Sequence, residues 1–139
     1  MAKRIELFKN ILNRRFLYKR MLISKDRGFK FFTGRNKELF PQNLSSGEQH
    51  ELVLLYQLLF KLSSNALILI DEPEISLHIV WQEQFLNDLQ KIIQLRGFDV
   101  LIATHSPQII NDRWDLTVEL KGTTDWDKLW HAENRSREN

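Results

Sequence analysis

The spacing of apolar residues predicts three long helices. In residues 3–17, apolar side chains recur every three or four positions among charged ones, which is the period of an amphipathic helix. The segment around Leu52–Phe60 is apolar nearly all round, so it predicts a largely buried helix. Residues 76–95 carry a further apolar stripe, and Gly97 follows it as a helix-ending residue.

A β-hairpin is predicted between the first two helices. Arg20–Ser24 and Phe29–Thr33 are short apolar-rich runs, and Asp26-Arg27-Gly28 separates them as a turn. Residues 34–43 contain Gly, Asn and Pro, which indicates a loop with room for one short strand. The N-terminal part of the chain should therefore be a helix followed by a hairpin.

Continuous apolar runs predict parallel strands in the second half of the chain. Ala66–Ile70 and Phe98–Ala103 lack polar alternation, which is typical of central strands buried on both faces. Leu116–Leu120 is predicted as a third strand, and Pro107 favours the start of a short helix before it. Helices and strands thus alternate, which predicts an α/β fold with a mostly parallel sheet flanked by helices.

Composition narrows the class of protein. The chain has 139 residues, of which 42% are hydrophobic, enough for one domain with a core. It contains no cysteine, which excludes disulfides and thiol chemistry and suits the reducing cytosol. The apolar runs are shorter than the roughly 20 residues of a membrane span, and no apolar signal core follows Met1. We therefore expect a cytoplasmic protein with no membrane association.

Charge is unevenly distributed although the net formal charge is only +2. Residues 3–37 are strongly basic, with only Glu6 and Asp26 as acids. Such a region could meet nucleic acid or phosphate, and it could equally be a solvated basic face. Nucleic acid therefore stays open as a partner.

Polar side chains follow both predicted parallel strands. Asp71 and Glu72 end the first strand, and His105 follows the second. Ligands bind beyond the carboxyl ends of strands in open α/β sheets, so these side chains should lie close together. A carboxylate there can hold Mg²⁺ and a second can activate water, while a histidine can stabilise phosphoryl charge.

A third candidate site precedes the second long helix. Ser45 and Glu48 have the spacing of a capping box, in which each side chain satisfies a backbone donor of the other residue. Gly47 would let the backbone approach a ligand, and a helix N-terminus favours anions. Helix capping and phosphate contact do not exclude each other here.

These segments resemble the motifs of ATP-binding-cassette (ABC) ATPases. Leu44–Glu48 is similar to the signature motif, with Ser46 where a second small residue is usually Gly. Leu67–Pro73 resembles the Walker B strand, Glu74–His78 the D-loop, and Ala103–Ser106 the switch-histidine motif. The sequence forms resemble the non-transporter branch near the RecF and SMC heads, the overcoming-lysogenization-defect ATPases and anti-phage ATPases such as those of Septu and retrons.

The resemblance implies catalytic roles at the strand ends. Asp71 would hold Mg²⁺ through water, Glu72 would be the general base that polarises the attacking water, and His105 would sense the γ-phosphate. It also implies a homodimer, joined head to tail through the signature motif and the D-loop residues Ser76 and His78. The implied cofactors are ATP and Mg²⁺, and the implied cofactor-binding residues are Ser45, Ser46, Gly47, Glu48 and Asp71.

One element of the family is absent from this sequence. The phosphate-binding pattern G-x-x-x-x-G-K-[ST] occurs nowhere in the 139 residues. About residues 19–120 match the family, and residues 121–139 form a polar tail. We therefore expect a single domain over residues 1–139 that forms the C-terminal lobe of an ABC-type ATPase. The Walker A lobe would be a missing N-terminal segment or a partner chain.

Three functions follow from these features. The leading hypothesis is ATP binding and hydrolysis by a dimerising head in DNA repair or anti-phage defence, with a nuclease or another effector as a further partner. The alternative is a non-catalytic partial head that acts as a dimerisation or protein-binding module. A metal-dependent nuclease built on Asp71, Glu72, Glu74 and His105 is the third.

Overall fold

The N-terminal region forms a helix and a three-stranded antiparallel sheet. The computed structural model describes residues 1–24, 26 and 28–120. Helix α1 spans Ala2–Arg15, and the hairpin strands β1 and β2 span Lys19–Ser24 and Gly28–Thr33. A two-residue strand β3, Glu38–Leu39, pairs with β2. The predicted helix, hairpin and short strand are confirmed.

Apolar side chains of α1 anchor it to the core. Phe8, Ile11 and Leu12 are spaced by three and four residues and are buried, so they share one face of the helix. The ring of Phe8 lies 5.2 Å from that of Phe29 in β2 and 5.5 Å from that of Phe60, measured between centroids. The helix, the hairpin and the second helix therefore share one core.

The second helix is interrupted near its end. Helix α2 spans Ser46–Tyr56 and continues as a π-helical turn over Gln57–Lys61. Leu55, like Leu58 and Leu59, is buried, whereas Val53 is 52% exposed. The prediction of a helix is confirmed, but its apolar character does not bury every face, because the described residues place no element over Val53.

Helix α3 spans Ile79–Arg96 and begins later than predicted. Residues Pro73–Ser76 form a separate 3-10 turn, and the side chain of His78 caps α3 by accepting from the backbone N–H of Val80. Gly97 ends the helix with a φ of 69°, as predicted for a glycine in the left-handed region. Among the described residues, no helix combines the length and the apolar character needed to cross a membrane.

A buried ion cluster ties the three long helices together. Arg15 of α1 donates to Glu51 of α2 and, at 2.7 Å, to Asp88 of α3. Arg14 donates to the second oxygen of Asp88 at 2.5 Å. Arg15, Glu51 and Asp88 are almost fully buried, so each charge depends on its partners for compensation.

The parallel sheet has two described strands, and one of its faces is open. Strand β4, Leu67–Asp71, pairs in parallel with β5, Asp99–Ala103. Side chains alternate between faces along a strand, so Ile68 and Ile70 pack against the core. On the other face Leu67, Leu69 and Leu101 are 65%, 70% and 62% exposed.

The expectation that these strands are buried on both faces is therefore wrong for this chain. Helices cover one face of the sheet, and no described residue covers the other. The apolar composition of the strands nevertheless matches that of a sheet covered on both sides. The alternation of helices with the first two predicted parallel strands is confirmed, and so is the α/β class.

The predicted third strand at Leu116–Leu120 is also wrong. The short helix α4, Pro107–Ile110, forms with Ser106 as its N-cap, as predicted, but residues 114–116 form a 3-10 turn and residues 117–120 no regular element. Val118 and Leu120 stay exposed, so strand formation would gain neither burial nor a pairing partner there. The predicted polar tail, with Trp126 and Trp130, lies outside the described residues.

Candidate functional site

The signature segment, which we define as Leu44–Glu48, contains a complete capping box. Ser45 is the N-cap of α2, and its hydroxyl accepts from the backbone N–H of Glu48 at 3.3 Å. The Glu48 carboxylate accepts in return from the backbone N–H of Ser45 at 2.8 Å. This reciprocal pair confirms the cap predicted from the sequence. It leaves Ser45 and Ser46 exposed at the start of the helix.

Glu48 itself faces inward. Both of its carboxylate oxygens lie 2.7 Å from the ammonium group of Lys19 on β1. Burial alone would raise the pKa of Glu48, but the hydrogen bonds from Lys19 and Ser45 and the charge of Lys19 lower it below its ordinary value. Glu48 therefore connects the signature segment to the hairpin through its ion pair with Lys19. The sequence did not predict this partner of Glu48.

Gly47 brings the signature segment against the D-loop segment, which we define as Glu74–His78. A Cβ atom at Gly47 would lie 3.2 Å from the carbonyl oxygen of Ser76, closer than an ordinary van der Waals contact. The sequence predicted an approach of the Gly47 backbone to a ligand; the structure shows its close approach to the backbone of Ser76. Larger residues at this position would push the two segments apart.

The signature segment and the D-loop segment line one open groove of about 860 Å³. Ser45, Ser46 and Gly47 lie on one side, with Ile75 and His78 on the other. Arg14, Arg15, His50 and Trp81 complete much of the wall. The groove therefore combines free backbone donors at a helix N-terminus with cationic and apolar side chains.

The acidic residues and the histidine occupy a second place in the fold. Asp71 is the last residue of β4 and is in register with Ala103, the last residue of β5. The backbone N–H of Glu72 donates to the carbonyl of Ala103 at 2.8 Å. His105 follows two residues later, so the structure brings Asp71, Glu72 and the His105 loop together at the carboxyl edge of the sheet. None of these residues lines the groove.

Glu72 has an unusual backbone conformation. Its φ and ψ are 44° and 54°, in the left-handed region, which costs a non-glycine residue about 1–3 kcal/mol. The buried Pro73 fixes the turn that follows it. Such strain is concentrated at functional sites, and the only sign of it in the sequence is the Glu72-Pro73 pair.

Glu74 links the D-loop segment to the histidine loop, which we define as residues 104–106. Its Oε1 atom accepts from the backbone N–H of His105 at 2.9 Å. Burial would raise the pKa of Glu74. The pKa is nevertheless lowered by hydrogen bonds from backbone N–H groups, including that of His105, by a hydrogen bond from Thr104 and by the charge of His105. Glu74 is therefore ionised at neutral pH and acts as an acceptor. Sequence reasoning had considered it only as a metal ligand.

The carboxylates at the strand ends fit a magnesium ion that phosphate oxygens and water also bind. They do not fit a metal site in which the protein supplies every ligand. Within residues 1–24, 26 and 28–120, no three His, Asp or Glu side chains are grouped so that they could hold a metal ion. Mg²⁺ is commonly bound by one or two carboxylates together with phosphate oxygens and water. Asp71, exposed at the end of β4, suits that arrangement.

Comparison with known proteins identifies a family for this chain. The family model described as "AAA domain, putative AbiEii toxin, Type IV TA system" matches residues 3–111. Protein ea59 of Escherichia phage lambda is 31% identical over 77 residues, which are 55% of this chain and 15% of that protein. A "Putative ABC transporter ATP-binding protein" of Methanosarcina mazei is 29% identical over 84 residues, 60% of this chain and 16% of that protein.

The aligned part of the chain thus corresponds to about 15% of the length of these curated relatives. Among solved structures, an SMC head bound to the C-winged helix domain of ScpA aligns with 76% of this chain and 36% of that chain, at a TM-score of 0.47 and 14% identity. A structure from work on ATP-driven dimerization and DNA-stimulated activation of SMC ATPases aligns with 99% of this chain and 96% of that chain, at a TM-score of 0.45 and 12% identity.

The family model covers well over half of the chain, and the chain therefore belongs to this AAA-domain ATPase family.

Proposed function

We propose that this chain supplies the hydrolytic half of an ATPase site. In this proposal Asp71 would hold Mg²⁺ through water, Glu72 would accept a proton from the attacking water, and His105 would donate to the γ-phosphate. When bound, ATP would supply the phosphoryl group, and Mg²⁺ would supply positive charge that offsets the charge of the phosphate oxygens. The observation that carries the proposal is the register of β4 and β5, which sets Asp71 opposite Ala103.

The conformation of Glu72 supports its role as the base. Its left-handed backbone turns the residue out of the strand direction immediately after Asp71. The contact of its N–H with Ala103 holds that turn against the neighbouring strand. The proposal assigns the two adjacent carboxylates the separate tasks of metal binding and water activation.

The groove supports a role for the signature segment in a dimer. Ser45, Ser46 and Gly47 stand at the N-terminus of an 11-residue helix, where free N–H groups favour phosphate. Asp71 and Glu72 do not line this groove, so in this proposal the two sets of residues serve different nucleotides. We propose that the signature segment, with Glu48 as its brace, serves ATP bound to a second copy, and that Ser76 and His78 touch that copy.

The open face of the sheet supports a requirement for a second lobe. Leu67, Leu69 and Leu101 expose an apolar surface that parallel sheets normally cover. The sequence contains no phosphate-binding loop. We propose that a lobe carrying Walker A packs on this face, in the same polypeptide or in a partner chain, and that residues 1–139 act as one C-terminal lobe.

Two measurements test this proposal. Calorimetry of the 139-residue chain with Mg-ATP should show no binding tighter than about millimolar, because most triphosphate contacts are absent. With a Walker A lobe supplied, ATP should bind, and the Glu72→Gln variant should accumulate as an ATP-bound dimer in gel filtration. Micromolar ATP binding by the chain alone would contradict the division of the site into two lobes.

The alternative of a non-catalytic binding module is favoured by the same missing loop. It predicts that the chain docks or dimerises without nucleotide, and that the addition of a Walker A lobe gives no hydrolysis. The nuclease hypothesis has less support, because the described residues contain no three-ligand metal group. A role in anti-phage defence or DNA repair is our proposal from the resemblance to the non-transporter branch of ABC ATPases, and effector and nucleic-acid partners belong to it.

A further inference from the structure

Glu74 and Gln82 connect the D-loop segment to the loop that carries His105. The carboxylate of Glu74 accepts from the backbone N–H of His105 at 2.9 Å, across 31 positions in sequence. His105 lies beyond the last ladder position of β5, which is Ala103. The contact with Glu74 therefore fixes a part of the loop that the sheet does not hold.

Gln82 forms the second connection. Its Nε2 atom donates to the carbonyl oxygens of Leu77 at 3.1 Å and Glu74 at 3.3 Å. Its Oε1 atom accepts from the hydroxyl of Ser106 at 2.8 Å. Gln82 is buried on the first turns of α3, so its amide joins three segments: the D-loop segment, α3 and the histidine loop.

The His105 side chain itself is exposed, and no hydrogen bond to its ring occurs among the described residues. The position of the imidazole therefore depends on the backbone of residues 104–106. That backbone is held by Glu74, by Gln82 through Ser106, and by the hydroxyl of Thr104, which accepts from the Ser106 N–H at 3.0 Å.

We infer that Glu74 and Gln82 are positioning residues that set His105 relative to Glu72 and couple it to the D-loop segment. Because Glu74 and Leu77 flank Ser76, contact of a second copy at Ser76 or His78 would reach His105 through two hydrogen bonds. The catalytic consequence rests on the ATPase function proposed above. The geometric consequence can be measured in the chain alone.

The geometric test is hydrogen exchange of the His105 amide in the 139-residue chain, measured by NMR. Glu74→Leu keeps similar bulk and removes the acceptor, so the amide should exchange about tenfold faster, as loss of one charge-assisted hydrogen bond implies. Glu74→Gln keeps an acceptor oxygen and should restore most of the protection. Unchanged protection in Glu74→Leu would overturn the inference.

Gln82 allows a matched comparison on the same helix. Gln82→Leu should increase exchange of the Ser106 amide and shift the resonances of both the D-loop segment and the histidine loop. Gln90→Leu, on the same helix and with no described hydrogen bond from its amide, should change neither segment. If both variants gave the same shifts, Gln82 would have no specific positioning role.

The catalytic test uses the chain with a Walker A lobe supplied. Glu74→Leu should lower kcat about tenfold to a hundredfold with little change in KM for ATP, because misplacement of a reacting group affects the transition state. Glu74→Gln should recover much of kcat, a rescue that general loss of stability would not give. Equal kcat for Glu74→Leu and the parent would overturn the inference.

The two tests separate this inference from the proposed function. If the parent assembly does not hydrolyse ATP, the proposed function fails, and hydrogen exchange alone decides the positioning of His105. If hydrolysis occurs but Glu74→Leu leaves both the His105 amide and kcat unchanged, the proposed function stands and the inference fails.

Discussion

Removal of one exposed leucine from the open face of the sheet should weaken the docking of a second lobe without unfolding the chain. Leu69 is 70% exposed. Full burial of a leucine side chain stabilises a protein by about 1.5–3 kcal/mol, so about 1–2 kcal/mol remains to be gained when a partner covers Leu69. The Leu69→Ala change should therefore weaken docking of the Walker A lobe by roughly 5- to 30-fold.

The next residue gives the matched control. Ile70 has the same number of carbon atoms and points to the opposite face, where it packs against the core. Ile70→Ala should cost about 2 kcal/mol or more of unfolding free energy, whereas Leu69→Ala should cost less than about 0.5 kcal/mol.

Urea unfolding followed by circular dichroism measures the two stabilities, and calorimetry with the added lobe measures docking. The reasoning is refuted if Leu69→Ala destabilises the isolated chain as much as Ile70→Ala does. It is also refuted if Leu69→Ala leaves lobe affinity unchanged.

Three further predictions concern stability. Arg15→Met should cost about 3–5 kcal/mol in urea unfolding, because it leaves the buried Glu51 without its cation, while Asp88 keeps Arg14 and Lys91; an effect below about 1 kcal/mol would contradict this role of Arg15. Ser45→Ala should cost about 1 kcal/mol in the same assay through loss of the α2 cap, with Ser46→Ala as the control that leaves the cap intact. The folded-state pKa of Glu48 is lowered, so ionised Glu48 stabilises the fold above its ordinary pKa of 4.5, and this contribution is lost as pH falls below that value. The unfolding free energy of the parent should therefore fall more than that of Glu48→Gln between neutral pH and pH 3. Parallel curves of unfolding free energy against pH would contradict this prediction.

Local features were predictable from the sequence because neighbouring residues determine them. The Ser45–Glu48 cap and the Gly97 helix end each depend on a few adjacent positions. The strands ending at Asp71 and Ala103 were likewise marked by continuous apolar runs bounded by polar residues. The resemblance to ABC ATPases rested on those same short segments, and membership of the AAA-domain ATPase family is confirmed.

Long-range features were not predictable in this way. The contact of Glu74 with His105 and the buried cluster around Arg15 join residues that are far apart in sequence. The exposure of Leu69 was missed for another reason: its apolar strand indicates burial, but no described part of the chain covers that face. The failed strand at Leu116–Leu120 has a similar cause, since a strand needs a neighbour to pair with.

The most direct test of the account is ATP hydrolysis by the chain with a Walker A lobe supplied, compared between the parent and Glu72→Gln. Glu83→Gln, an exposed glutamate on α3, is the matched control. The account predicts hydrolysis by the parent and the control, and a loss of about 100-fold or more in Glu72→Gln with ATP binding retained, as expected for removal of a general base. Hydrolysis by Glu72→Gln at the parent's rate would contradict the central claim that this chain supplies the water-activating half of the site.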